Sequence, residues 1–178
     1  MKYSVIISLS GLLFILAGCQ ASNTVKEEKT YTISGTMIHF PPQCSGTLTE
    51  DYLISTKAQP LANTIFYVKK GDHNTITDTA FAEFKTDQNG YFFVTLPPGD
   101  YCLLHQFQKD TIAINAVRIQ SEYYEVDDEG TIWQAYKTPI ALVKIEDKNI
   151  DSLAYKINVQ CFFPPGMQGF RYIGPMPE

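Results

Sequence analysis

The feature that most constrains this chain is its punctuation. From Tyr31 onward, short runs rich in β-branched and aromatic residues alternate with Gly, Pro and Asn-Gly breaks. The first run, Tyr31–Phe40, closes at Pro41-Pro42, and an irregular stretch leads to Pro60. Thr64–Lys70 follows, then a turn at Gly71-Asp72-His73-Asn74 and a run near Thr79–Thr86. Asp87-Gln88-Asn89-Gly90 reads as a tight hairpin loop, since Asn-Gly suits positions of positive φ. Tyr91–Leu96 stops at Pro97-Pro98-Gly99, and Asp100 to about Phe107 is the next strand. The last two, Ile140–Glu146 and Leu153–Phe163, join across Asp147–Asp151. No long window carries the i, i+3, i+4 spacing of a strong amphipathic helix. Seven short strands so punctuated predict an all-β sandwich or barrel. The exception is Gln108–Pro139, an irregular insertion before the last two strands with room for one helical turn or two.

The N-terminus has a different logic. Met1-Lys2 is basic, Val5–Ala17 is apolar apart from Ser and Gly, and the run ends in Leu16-Ala17-Gly18-Cys19. That is the layout of a secretory leader, and the apolar run is shorter than the ~20 residues of a spanning helix. The Cys directly after the small pair resembles the lipobox of bacterial lipoproteins. The resemblance implies a signal peptide over residues 1–18, diacylation of Cys19 as the new N-terminus, and anchorage of the chain to a membrane through that lipid. It places the protein in the cell envelope, at the outer membrane, on its periplasmic face or the cell surface. Gln20–Lys29 is polar and charged without an apolar period, a flexible tether. Residues 31–178 then form one domain.

Charge narrows the partners. Fourteen basic residues face nineteen acidic ones, a net charge of −5, and loss of Lys2 with the leader deepens it by one. An acidic exported chain is a poor ligand for nucleic acid or for anionic headgroups, which need basic patches.

Residues Gln59–Leu103 carry a second resemblance. Pro60-Leu61-Ala62-Asn63 leads into a strand ending Tyr67-Val68-Lys69. Thr86-Asp87-Gln88-Asn89-Gly90-Tyr91-Phe92 and Leu96-Pro97-Pro98-Gly99-Asp100-Tyr101 follow in order, and Ile33-Ser34-Gly35-Thr36 fits the opening strand. The set resembles the carboxypeptidase regulatory-like domain, a transthyretin-like (prealbumin-like) β-sandwich. With the lipobox, the Cys after Tyr101 and the aromatic C-terminus, the chain looks like small Bacteroidetes lipoproteins of this class. The resemblance implies a binding or structural module of the envelope, not an enzyme. In such a domain Gly90 reverses a hairpin, Asp87 caps backbone N–H groups, and Tyr101 packs inward with its hydroxyl on the backbone.

No catalytic residue is assigned. No GxSxG elbow is present. His39, His73 and His105 are followed by Phe-Pro-Pro, Asn-Thr-Ile and Gln-Phe-Gln, so the HxxE of a zinc peptidase is missing. Asp87 and Asn89 start like a calcium loop but lack its remaining oxygens, and no CxxC or HxxxH pair supports zinc. No metal or cofactor is expected. Apart from Cys19, three cysteines remain, Cys44, Cys102 and Cys161, so at most one bridge forms within the chain. Strand polarity favours Cys44–Cys161, leaving Cys102 free or an alternative partner. Tyr123, Tyr124, Trp133 and Tyr136 in the insertion are either an aromatic platform for a sugar or partner protein, or core packing. The partners anticipated are therefore the membrane through Cys19 and an envelope protein or glycan.

Overall fold

The computed structural model describes residues 28–42, 50, 54, 56–119, 122–159 and 166–175. Cys19, Cys44 and Cys161 lie outside the described residues, as do the end expected for the last strand and the signal peptide.

The elements are β1 Tyr31–Phe40, a two-residue β2 Gln59–Pro60, β3 Ile65–Lys70, β4 Ala82–Lys85, β5 Tyr91–Leu96 and β6 Gly99–Leu104. After a single 3-10 turn, Gln106–Gln108, come α1 Thr111–Ile119, β7 Tyr124–Val126 and α2 Glu129–Lys137. The chain ends its described course with β8 Ala141–Ile145, β9 Ile150–Asn158 and β10 Phe170–Tyr172. Each of the seven expected runs overlaps a strand among the described residues, β1 and β5 with the expected bounds. β2, β7 and β10 are additional.

The molecule is mostly β, with its core between two sheets. In the first, β1 pairs antiparallel with β5 and β2 along one edge and parallel with β9 along the other. The second runs β4-β3-β6-β8, all antiparallel. Period-two alternation sends Ile33 and Met37 of β1 and Phe92, Val94 and Leu96 of β5 inward. Phe66 and Val68 of β3, Tyr101 and Leu103 of β6 and Val143 and Ile145 of β8 meet them from the other sheet. Stacked rings run through this interior, Phe66 on Phe84 at 5.4 Å and Phe84 on Phe92 at 4.7 Å.

The parallel pairing of β1 with β9 has a local requirement. Its register slips between Ile33 and Gly35, where Ser152 takes φ +62° and bulges β9 toward β1. A Cβ on Gly35 would run into the Leu153 carbonyl oxygen, and would lie 2.8 Å from the Leu153 Cβ. Glycine is needed here for close approach, not for its φ.

The insertion is more helical than its sequence predicts. Two nine-residue helices form, each about two and a half turns. Each is set by a cap: Asp110 accepts the Ala113 N–H at 2.8 Å, and Asp128 accepts the Gly130 N–H at 2.9 Å and the Thr131 hydroxyl at 2.6 Å. Helices this short show too few apolar repeats for periodicity to detect. They pack Ile114, Ile132 and Tyr136 with Met167 and Phe170 of the tail into a second core. β10 pairs with β7, so the C-terminal segment lies on the insertion.

Candidate functional site

The junction between insertion and sandwich is built on a proline. Pro139 ends α2 and has no N–H for the carbonyl of Ala135, four residues back. The Ile140 N–H, which would have met Tyr136 O, donates instead to Leu103 O at 2.9 Å. Two buried side chains replace the lost donors. The Gln108 amide donates to Ala135 O at 2.9 Å, Tyr136 O at 3.2 Å and Thr138 O at 2.6 Å. Its Oε1 accepts the His105 N–H at 2.9 Å. Asn74 Nδ2 donates to Tyr136 O at 2.9 Å and to Gln108 O at 2.8 Å. Both residues are 1% exposed, though Ala135 is half-buried and Thr138 exposed, and their bonds hold the insertion in one position.

The four aromatic residues singled out from the sequence do not form one platform. Tyr136 is fully buried, with its hydroxyl 3.5 Å from Thr75 O, and belongs to the second core. Burial raises its pKa. Of the two readings open for it, core packing is the one its position fits: its ring has no exposed face to offer a ligand. Trp133 packs edge-on against Tyr136 at 5.8 Å, its Nε1–H donating to Glu129 at 3.2 Å, and Tyr124 joins the same cluster. Tyr123 is 44% exposed and meets Tyr172 of the tail at 6.5 Å; Tyr172 also meets Tyr124 at 5.3 Å. The structure thus splits the set into a buried half and an outer tyrosine group.

What the insertion offers is a cavity of about 440 Å³ against the sandwich. His105 and Phe107 form one wall, Gln134 of α2 and Thr138 just past its end another, and Lys156 and Ile157 of β9 with Gln168 of the tail complete it. The His105 ring stacks on Phe107 at 5.6 Å and lies 5.8 Å from Phe66. Burial pulls its pKa down to about 4, so the imidazole is neutral at ordinary pH. Gln168 contributes a buried Oε1 with no hydrogen-bond partner among the described residues. The lining is therefore aromatic and aliphatic with a few amides and hydroxyls and one charged residue, Lys156, close to the composition of small-molecule pockets. Sequence reasoning weighed His105 only as a zinc ligand and passed over Phe107, Gln134 and Gln168. They come from three separate parts of the chain, and no local motif joins them.

Beneath loop 71–80, Lys69 is fully buried on the outer side of β3, its Nζ donating to Thr75 O at 3.1 Å. Burial lowers its pKa and raises that of Cys102, its cross-strand neighbour. Cys102 is buried with a free thiol. Among the described residues no group of three or more His, Cys, Asp or Glu is placed to hold a metal ion. No helix among them is long and apolar enough to cross a membrane.

No family model matches the chain, and no curated protein matches it. Two solved structures show distant likeness. The TIE protein of Bacillus anthracis is 16% identical at a TM-score of 0.29, over 73% of this chain and 17% of its own. A 9R-lipoxygenase from Cyanothece is 14% identical at a TM-score of 0.30, over 73% of this chain and 16% of its own. The chain thus spans about a sixth of the length of either, and at these scores the likeness carries no argument about fold or activity.

Proposed function

We propose that this protein is a lipid-anchored binding module of the cell envelope, acting without catalysis, whose ligand sits in the cavity between insertion and sandwich. The observation that carries the reading is that cavity, held by the Gln108 and Asn74 network and lined by the Gln134 and Gln168 side chains. A site fixed before its ligand arrives loses little ordering entropy on binding. Its size and mostly uncharged lining, with Lys156 the one charged residue, suit a small ligand with apolar and hydroxyl or amide faces, a carbohydrate or related molecule. This shifts the ligand reading from the rings of Trp133 and Tyr136 to the pocket behind them.

Two further elements belong to the proposal. The anchor is the lipid on Cys19, supported by Leu16-Ala17-Gly18-Cys19, and metabolic labelling with a palmitate analogue tests it against Cys19→Ala. The sandwich is of the transthyretin-like, carboxypeptidase regulatory-like kind. The Asp87–Gly90 hairpin and the Tyr101 hydroxyl bond to Pro97 O at 2.9 Å support that assignment.

The binding reading is tested on the full chain purified in detergent, screened for thermal shifts with mono- and disaccharides and N-acylated amino sugars. Gln134→Trp, at an exposed position on the cavity wall, fills the space and removes any shift. Binding that survives Gln134→Trp would move the ligand elsewhere and end the assignment.

A further inference from the structure

We propose that the outer face of the first sheet, at the β1–β9 bulge, is a separate binding surface for a neutral linear oligosaccharide. Alternation turns Tyr91, Phe93 and Thr95 of β5 away from the core, opposite Thr36, Ser34 and Thr32 of β1. Phe93 is 68% exposed and Tyr91 44%, two rings on one face, two residues apart and so about 7 Å along the strand. Beside them, at the bulge of Ser152, lies a depression of about 470 Å³, lined by Ser34, Gly35, Thr36, Tyr91 and Asp151 as well.

The polar floor of that depression is organised. Ser34 is 7% exposed, unusual for a hydroxyl on an outer face, and donates to Asp151 Oδ1 at 2.9 Å. Oδ2 of Asp151 makes no hydrogen bond among the described residues, leaving a charged acceptor beside the rings. Ser152 holds the left-handed conformation at φ +62°, a strained state for a residue with a Cβ and one that accumulates at functional sites. Aromatic faces flanked by hydroxyls and one carboxylate match a sugar chain, whose C–H faces lie on rings while its hydroxyls donate to the acceptor. Asp151 and the net charge of −5 oppose a polyanion or an anionic lipid surface. Two rings make a patch well short of what a stable protein interface covers. This surface shares no residue with the cavity at the insertion.

Isothermal titration of the full chain in detergent, with N-acetylglucosamine hexamer and α-1,4-linked glucose hexamer as probes, tests it. One probe is expected to bind, and Tyr91→Ala/Phe93→Ala to weaken it about tenfold or more. Because both rings are exposed, the unfolding temperature of the double variant should be unchanged. Asp151→Asn is expected to weaken binding about threefold to tenfold, and Gln134→Trp to leave it intact. Absence of heat with both probes, full binding by the double variant, or loss of binding in Gln134→Trp would each overturn the proposal.

Discussion

Gln108→Met tests whether one buried amide holds the insertion in place. Methionine has nearly the same length and volume, so packing is preserved while every side-chain hydrogen bond is lost. The amide has two N–H groups shared over three carbonyls, and Oε1 takes a third bond from His105. Three bonds at about 1 kcal/mol each give about 3 kcal/mol, and leaving the half-buried Ala135 O and His105 N–H unpaired adds up to about 1 kcal/mol. Tyr136 O is spared because Asn74 also serves it. A loss of about 4 kcal/mol is a large part of the ~5–15 kcal/mol that typically stabilises a domain. Since the bonds tie the two ends of the insertion together, the loss should appear first as local opening. Hydrogen exchange of α2 amides should accelerate about a thousandfold, 4 kcal/mol being about three decades, while core amides of β1 and β3 change less. Gln134→Ala is the control, because its exposed amide reaches only Thr138 Oγ1 at 3.2 Å and should cost under about 0.5 kcal/mol. If Gln108→Met costs less than about 1 kcal/mol in urea unfolding and α2 exchange is unchanged, the clamp is not what holds the insertion.

Three further outcomes follow from the same geometry. His105 is held neutral in the folded chain with a pKa near 4 against 6.5 unfolded. The unfolded state therefore binds more protons between those values and stability falls as pH drops through that window, by up to about 3 kcal/mol; His105→Phe should flatten this part of the pH profile relative to the parent, and an unchanged slope would exclude His105 as its source. Gly35→Ala should destabilise by about 2 kcal/mol or more, since β9 must retreat from the new methyl group, and a neutral result in urea unfolding would contradict the close approach of Leu153. Because β1 and β9 run parallel with Phe40 opposite Asn158, the segments to Cys44 and Cys161 leave from the same pole. Non-reducing peptide mapping should recover a Cys44–Cys161 link, worth about 4.7 kcal/mol for a loop of some hundred residues. Cys102 should alkylate only after unfolding; a Cys102-containing link would refute the pairing.

Much of the sandwich was legible because it is encoded locally. The bounds of β1 and β5 follow from alternation and the prolines after each. The Asp87–Gly90 turn behaves as its residues require, Asp87 Oδ1 accepting the Asn89 and Tyr91 N–H groups at 2.8 Å while Gly90 takes φ +74°. The inward Tyr101 with its bond to Pro97 O was likewise anticipated. The insertion was not. Its helices are too short for periodicity, and the aromatic count could not say that Tyr136 points in while Tyr123 stays half exposed. Lys69 reads as a surface residue on a strand, yet loop 71–80 covers it.

The dividing line is the distance over which a residue's partner is specified. Turns, caps and alternation depend on neighbours within a few residues, so the amino-acid sequence alone determined the strands and the main hairpin. Whether β9 lies parallel to β1, whether the tail completes the insertion's core, and whether Gln108 reaches the end of α2 depend on groups 28 to 117 positions apart. Those contacts repay the entropy of loop closure only when the whole fold supplies them together. Tertiary structure therefore decided the cavity at His105 and the polar floor beneath Phe93.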